Sequence, residues 1–215
     1  CAEVAAPHAG IALEGARLAV QGFGAVGRHA ARLLARRGTK LVAASDSKGT
    51  IADPAGLDVE ALADLKLRGG SVCDHPQGRK LDRDAVVGVE CDIWIPAARP
   101  DVVREDNVDR LRARLVLQGA NIPFTVGAEK ALAGRGVWIV PDFIANAGGV
   151  ICAAMEYAGA TRGAAFDAIA ERVRANTEAV LVESKRRGVL PRAAAEALAV
   201  RRVRAAMAHR RFSIL

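Results

Sequence analysis

As far as about residue 160, short apolar runs alternate with longer amphipathic stretches, the pattern of a parallel sheet whose strands are joined by helical crossovers. Runs rich in Val, Ile or Leu, each closed by Gly, Pro, Asp or Ser, predict strands over Arg17–Gln21, Lys40–Ser45, 91–95, 115–118 and 137–140. Between them, helical spacing of apolar positions predicts helices over 25–37, 58–66, 102–112 and 125–133. Gly38 follows the basic end of the first of these helices and Pro100 precedes the third, as stop and start signals should. Residues 69–81, with Gly69-Gly70 and Pro76, read as a loop or weak hairpin. From Phe143 onward the pattern is all-helical. Phe166, Ile169, Val173 and Val180 share one face, Ala195, Ala199, Val203 and Met207 share another, and Pro191 opens the last helix. Those two stripes must be buried, against the sheet or against a partner domain.

Composition narrows the class. With 51% hydrophobic and 26% charged residues and a mean hydropathy of +0.14, the chain is a globular protein rather than a disordered or fibrous one. Its longest uncharged stretch, residues 143–155, includes Asn146, Gly148 and Gly149 and is shorter than the roughly 18 apolar residues that a spanning helix needs. No membrane role is expected. Cys1, Cys73, Cys91 and Cys152 stand at wide, irregular spacing without a CxxC pair, which indicates neither a disulfide framework nor a zinc site and suits a reducing cytoplasm. Residues 1–16 carry no signal-peptide pattern and begin at Cys1 rather than Met, as a continuation of a longer protein would.

The formal charge of +7 raises the question of a nucleic-acid partner. Its distribution answers against one: residues 171–215 hold 11 basic and 4 acidic side chains, leaving 20 of each sign before them. Lys185-Arg186-Arg187, Arg201-Arg202 and Arg210-Arg211 fall on or beside helical patterns, where they form solvated faces or favour the negative end of a helix.

Chemistry enters at Gly22-Phe23-Gly24-Ala25-Val26-Gly27, which follows the strand LAVQ directly and opens a helix. That context makes GxGxxG a dinucleotide-binding fingerprint. The first glycine permits the tight turn, the second lets a pyrophosphate approach the backbone, and the third lets helix and strand pack closely. Free N–H groups at the start of the helix then face the phosphates. Asp46 ends the second strand nineteen residues after Gly27, where an acid accepts hydrogen bonds from the adenosine ribose. The expected fold is therefore α/β, a Rossmann-like doubly wound, mostly parallel sheet with helices on both faces and two C-terminal helices. Residues 1–160 would form the dinucleotide-binding domain and 161–215 an extension packed on it. The acid favours NAD, while Ser45, Ser47 and Lys48 beside it are able to hydrogen-bond or neutralise the extra phosphate of NADP, so the lean to NAD is weak.

The segments LEGARLAVQGFGAVG, VAASDSKGTI, IPAA, GANIPFT and PDFIANAGGV, in that order, resemble the cofactor domain of the glutamate, leucine, phenylalanine and valine dehydrogenases, most closely the glutamate dehydrogenases, from about Leu13 to Phe212. The resemblance implies that Phe23, Gly24, Ala25 and Val26 lie against the pyrophosphate and that Asp46 and Ser47 face the adenosine ribose. It also implies that Ala97 and Ala98 border the cofactor near its ribose, that Asn121 and Asn146 reach the nicotinamide end, and that Asn146 lies near the substrate amino group. The family commonly has Asn in place of Ala25. Glutamate-specific members have Ser in place of Ala153, where branched-chain enzymes carry an apolar residue, so Ala153 leaves the substrate side chain open.

The implied reaction is reversible oxidative deamination of an L-amino acid to an oxo acid and ammonia. In the family its catalytic lysine and aspartate belong to a preceding domain, which nothing in this chain resembles. No catalytic acid or base is therefore assigned: Lys48, Lys66, Lys80, Lys130 and Lys185 are scattered among charged neighbours, and Cys73-Asp74-His75 reads as a surface turn rather than a nucleophile with its base. His8, His29 and His209 are isolated. The chain alone is expected to bind the dinucleotide with little turnover and to be a monomer or weak dimer, the whole protein a hexamer. Rival readings are another NAD-dependent enzyme on the same scaffold and a non-catalytic dinucleotide sensor or interaction module.

Overall fold

The computed structural model describes residues 1–208; His209, Arg210, Arg211 and Phe212 lie outside the described residues. Strands β1 (Arg17–Gln21), β2 (Lys40–Ser45), β3 (Thr50–Ala52), β4 (Arg79–Leu81), β5 (Ile93–Pro96), β6 (Leu115–Leu117) and β7 (Trp138–Val140) form one sheet in the order β4-β3-β2-β1-β5-β6-β7. The pairs β1/β2, β1/β5, β5/β6 and β6/β7 are parallel, whereas β2/β3 and β3/β4 are antiparallel. The helices are α1 (Ala2–His8), α2 (Ala25–Ala35), α3 (Val59–Leu67), α4 (Val126–Gly134), α5 (Asp142–Ala145), α6 (Gly148–Tyr157), α7 (Arg162–Arg187) and α8 (Pro191–Ala208).

Because successive strand side chains point to opposite faces, the central strands feed two cores. Leu18, Val20, Ile93, Ile95, Leu115 and Leu117 pack on one face with residues of α1, α2, α3, α7 and α8. Ala19, Val42, Trp94, Val116 and Ile139 pack on the other, beneath Ala128 and Leu132 of α4 and a set of irregular segments. The sheet is thus doubly wound. Its continuously apolar strands are what burial on both faces demands.

Some expectations need correction. Residues 102–112 are not a helix: only the 3-10 turn Val108–Arg110 is helical. Pro100 is followed by Asp101 at φ 47, a left-handed turn that starts no helix. Val103 instead bridges in parallel to Phe124, donating to Pro123 O at 3.1 Å and accepting from Thr125 N at 3.1 Å. Two β-branched residues in sequence, Val102-Val103, suit that extended pairing better than a helical turn. Residues 69–81 hold the 3-10 turn Val72–Asp74 and then β4, so the weak hairpin is a true edge strand paired with the unanticipated β3.

The C-terminal stripes are only partly covered. Of the four apolar positions expected on one face of α7, Val180 is buried but Phe166 is 59% exposed. On α8, Ala195 is buried while Val203 is 58% and Met207 63% exposed. Val180 and Leu181 of α7 and Ala194 and Ala195 of α8 enter the first of the two cores, while the exposed apolar positions of both helices stay uncovered. All four cysteines are free thiols, and burial pushes that of Cys91 up to about 12.

Candidate dinucleotide site

The chain reverses its winding between β1 and β5, so the loops after these neighbouring strands part and leave a crevice at their carboxyl ends. Gly22, Phe23 and Gly24 make the turn out of β1. Gly22 sits at φ 92, and a Cβ there would come within 2.3 Å of Ala98 Cβ, so the loop after β5 lies directly against the turn. A Cβ on Gly27 would stand 2.1 Å from Gly22 O, which fixes how closely α2 meets the strand. Around Gly24 nothing lies within 4 Å of the place a Cβ would take. Gly22 and Gly27 are thus fixed by close approach, to the loop after β5 and to the strand turn, while Gly24 faces open space.

The start of α2 fits an anion. Gly24 is its N-cap and makes no side-chain cap bond, and no acid stands in the first turn. Its leading N–H groups have no intrahelical partner. Gly22 N and Phe23 N are already used, donating to Ser45 O at 3.1 and 2.7 Å, so the available donors begin beyond them. Phe23 corrects its expected contact: its side chain is wholly buried in the core, and only its backbone faces the turn. Ala25 and Val26 are exposed at the mouth, Val26 by 51%.

Asp46 departs further from expectation. One oxygen accepts from Lys48 N at 2.9 Å and Ser71 Oγ at 3.0 Å, the other from Lys66 Nζ at 2.8 Å and Val72 N at 2.9 Å. Its side chain is 8% exposed. Burial pushes the Asp46 pKa upward, but the bonds from Lys66, Val72, Lys48 and Ser71 outweigh it and hold the carboxyl below its ordinary range. With four donors satisfied, it is a strut between β2 and the turn at Ser71, and offers a ribose no free acceptor. Ser47 and Lys48 remain exposed at the rim.

Ala97 N donates to Gln21 O at 2.7 Å, and Pro96 O accepts from Gly119 N at 2.9 Å and Ala120 N at 2.8 Å, which stacks the loops after β1, β5 and β6 along one edge. Farther along that edge Asn146 Nδ2 donates to Asn121 Oδ1 at 2.7 Å. A cavity of about 540 Å³ begins at Val26, Gly119, Asn146 and Gly148 and runs away from that edge between α2 and α7, past Leu33, Leu34 and Val173. Ala153 is exposed on α6 beyond Asn146.

Sequence reasoning missed what holds these loops. Arg192, in the first turn of α8, donates to Glu129 Oε2 at 2.8 Å, Asp142 Oδ1 at 3.0 Å and Gln118 Oε1 at 2.9 Å. Asp142 Oδ2 accepts from Ile122 N at 2.8 Å, and Asp142 N donates to Gln118 Oε1 at 3.0 Å. Ile122 is thereby held at φ 47, a conformation a β-branched residue rarely adopts. The only signal in the chain was a polar residue, Gln118, closing an apolar run. Cys73 and His75 make no dyad: His75 Nδ1 lies 3.1 Å from Gln77 O, and its ring is turned to its own loop.

An uncapped helix start above an open glycine, at the switch point of a parallel sheet, defines a dinucleotide-binding fold. The Glutamate/Leucine/Phenylalanine/Valine dehydrogenase family model matches residues 1–211, and the chain belongs to that family. It is 44% identical over 145 residues to the glutamate dehydrogenase of Aeropyrum pernix, covering 67% of this chain and 35% of that protein. To the glutamate dehydrogenase of Thermotoga maritima it is 41% identical over 158 residues, 73% of this chain and 38% of the relative. The crystal structure of the hetero-hexameric glutamate dehydrogenase of Thermus thermophilus, in its Leu-bound form, superposes with a TM-score of 0.82 at 30% identity, covering 93% of this chain and 49% of that one. The chain thus spans little more than a third of the two relatives. Proteins named for NAD and for NADP both occur among its relatives.

Proposed function

We propose that this chain is the dinucleotide-binding part of an NAD(P)-dependent L-amino acid dehydrogenase, most plainly one acting on glutamate. The observation that carries the reading is the open space at Gly24 above the uncapped start of α2. The backbone N–H groups of Ala25, Val26 and Gly27 would hold the pyrophosphate. Asn121 and Asn146 would orient the nicotinamide end, since an amide can both donate and accept. When bound, the nicotinamide supplies the acceptor for a hydride from the substrate Cα. The loops after β5 and β6 flank the crevice and remove water from one side of it.

Residues 1–160 would then be the cofactor domain and 161 onward its extension; the entry of Val180, Leu181, Ala194 and Ala195 into the same core as the sheet supports the packing of that extension on it. A preceding domain would bring the acid, base and carboxylate-binding groups, and the exposed apolar residues of α6, α7 and α8 suit contact with it. Assembly of the whole protein as a hexamer would parallel the hetero-hexameric glutamate dehydrogenase of Thermus thermophilus. Free thiols support a reducing cytoplasm, and no described helix is long and apolar enough to cross a membrane. With Asp46 engaged and Ser47 and Lys48 at the rim, the turn suits NADP as well as NAD.

Fluorescence titration of the chain with NADH and NADPH tests the reading. Saturable binding of either is expected, with NADPH at least as tight. Absence of binding to both would overturn it. Assay of the complete open reading frame with glutamate, leucine, phenylalanine and valine assigns the substrate.

A further inference from the structure

A second concavity lies at the other end of the sheet, where β1 begins rather than where it ends. Its volume is about 840 Å³, within the range of small-molecule sites and far more than a phosphate ion requires. Arg17 of β1, Arg79 of β4, Arg110 of the 3-10 turn after β5 and Arg112 just beyond that turn line it. Arg17 is neutralised, donating to Asp92 Oδ2 at 3.2 Å and Glu90 Oε1 at 3.1 Å. The other three have no carboxylate partner among the described residues; Arg110 reaches only the carbonyl of Asp84, at 3.4 Å. Glu90, the acid in the lining, is the partner of Arg17, and Asp84 nearby is already paired with Arg83 and Arg99.

Like charges gathered around one hollow repel one another, and their mutual cost falls when an anion enters. The floor is different in kind: Val42, Ala52, Leu81 and Val89 line it, over the core on that face of the sheet. A guanidinium offers a planar fork that matches carboxylate or phosphate oxygens, and its flat face stacks on rings. Inorganic ions would use the arginines and leave the apolar floor empty. A neutral apolar molecule would do the reverse.

We propose that this basin is a second ligand site, separate from the dinucleotide crevice, for an organic anion that carries phosphate or carboxylate groups on a ring-sized apolar body. Because its lining includes Arg17 of β1 and Val42 of β2, strands whose other ends carry the glycine turn and Asp46, an occupant would stiffen the strands that present the turn.

Calorimetric titration of the 215-residue chain with naphthyl phosphate and, separately, naphthalene dicarboxylate tests it. Saturable binding of either at one site supports the proposal, provided it weakens by about tenfold or more in R110A/R112A; the tighter probe names the acid group. These exposed positions leave the core untouched, and unchanged NADH binding by the double variant verifies that the fold and the crevice are intact. No saturable heat from either probe, heat unchanged by the double substitution, or competition between the probe and NADH would overturn the proposal.

Discussion

Asn146 donates through Nδ2 to Oδ1 of Asn121 at 2.7 Å, joining the loop after β6 to the junction of α5 and α6. Neither loop reaches that contact unaided. Asp142, at the start of α5, accepts from Ile122 N through Oδ2, and Gln118 accepts from Asp142 N through Oε1, so side chains already tie the two segments together beside the amide pair. The bond also leaves Asn146 with an acceptor and Asn121 with its own NH2 free to face a ligand.

Replacing both asparagines by alanine should therefore separate the two halves of the cofactor. Binding of NADH is expected to weaken by about three- to tenfold for each lost hydrogen bond, whereas binding of ADP, which lacks the nicotinamide, should not change. Equilibrium titrations with both ligands measure this; equal losses for the two would remove the asparagines from the nicotinamide end.

Gly24 and Gly27 make a sharper pair. A Cβ at 24 has no other heavy atom within 4 Å, so G24V, whose side chain starts into that open space, should stay within about 1 kcal/mol of the parent in urea unfolding while losing dinucleotide affinity by about a hundredfold, since the side chain fills the phosphate's place. Alanine at 27 meets Gly22 O at 2.1 Å and should cost about 2–4 kcal/mol of stability. Were G24V to bind NADH normally, the phosphate would not lie over that turn.

The central strands, α2 and the glycine turn were legible because period, apolar runs and turn chemistry agreed there. Where the reading failed, a tertiary partner decided. Residues 102–112 have helical spacing, yet Val103 finds a better bond across to residues 123–125. Asp46 stands at the ribose position by count, but Lys66, Ser71 and Val72, twenty and more residues ahead, claim its oxygens. Nothing local in the sequence could reveal that, nor the guanidinium of Arg192 reaching back across the fold to Gln118. Phe23 carries both kinds of information: its backbone belongs to the motif and its ring to the core.

Arg192 is expected to be the costliest single arginine to lose. Glu129 and Asp142 are 4% and 6% exposed, and both rely on it for charge. R192M would leave two buried carboxylates uncompensated, a loss of about 3–5 kcal/mol, and would free the loop carrying Ile122. R192K should recover only part, because an ammonium cannot span three acceptors in a plane. Urea midpoints of the three proteins rank them; equal stability of R192M and the parent would show that the network is not under load.

Asp46 gives a pH dependence whose sign is fixed. Its folded carboxyl is held below the ordinary range, so it binds fewer protons than the unfolded chain does, and the stability it supplies is complete above the unfolded value near 4. That stability is lost as the pH falls through the folded value. In D46N the amide turns an NH2 toward groups that are themselves donors, Lys66 Nζ and Val72 N or Ser71 Oγ and Lys48 N, which should cost about 2–3 kcal/mol at neutral pH. The gap between parent and variant should then narrow steadily below about pH 4, when the parent's own carboxylate is protonated and loses the same bonds. Urea unfolding of both proteins from neutral pH down into the acid range measures the gap. A gap independent of pH would mean that Asp46 contributes packing rather than charge, and a gap widening in acid would contradict its depressed pKa.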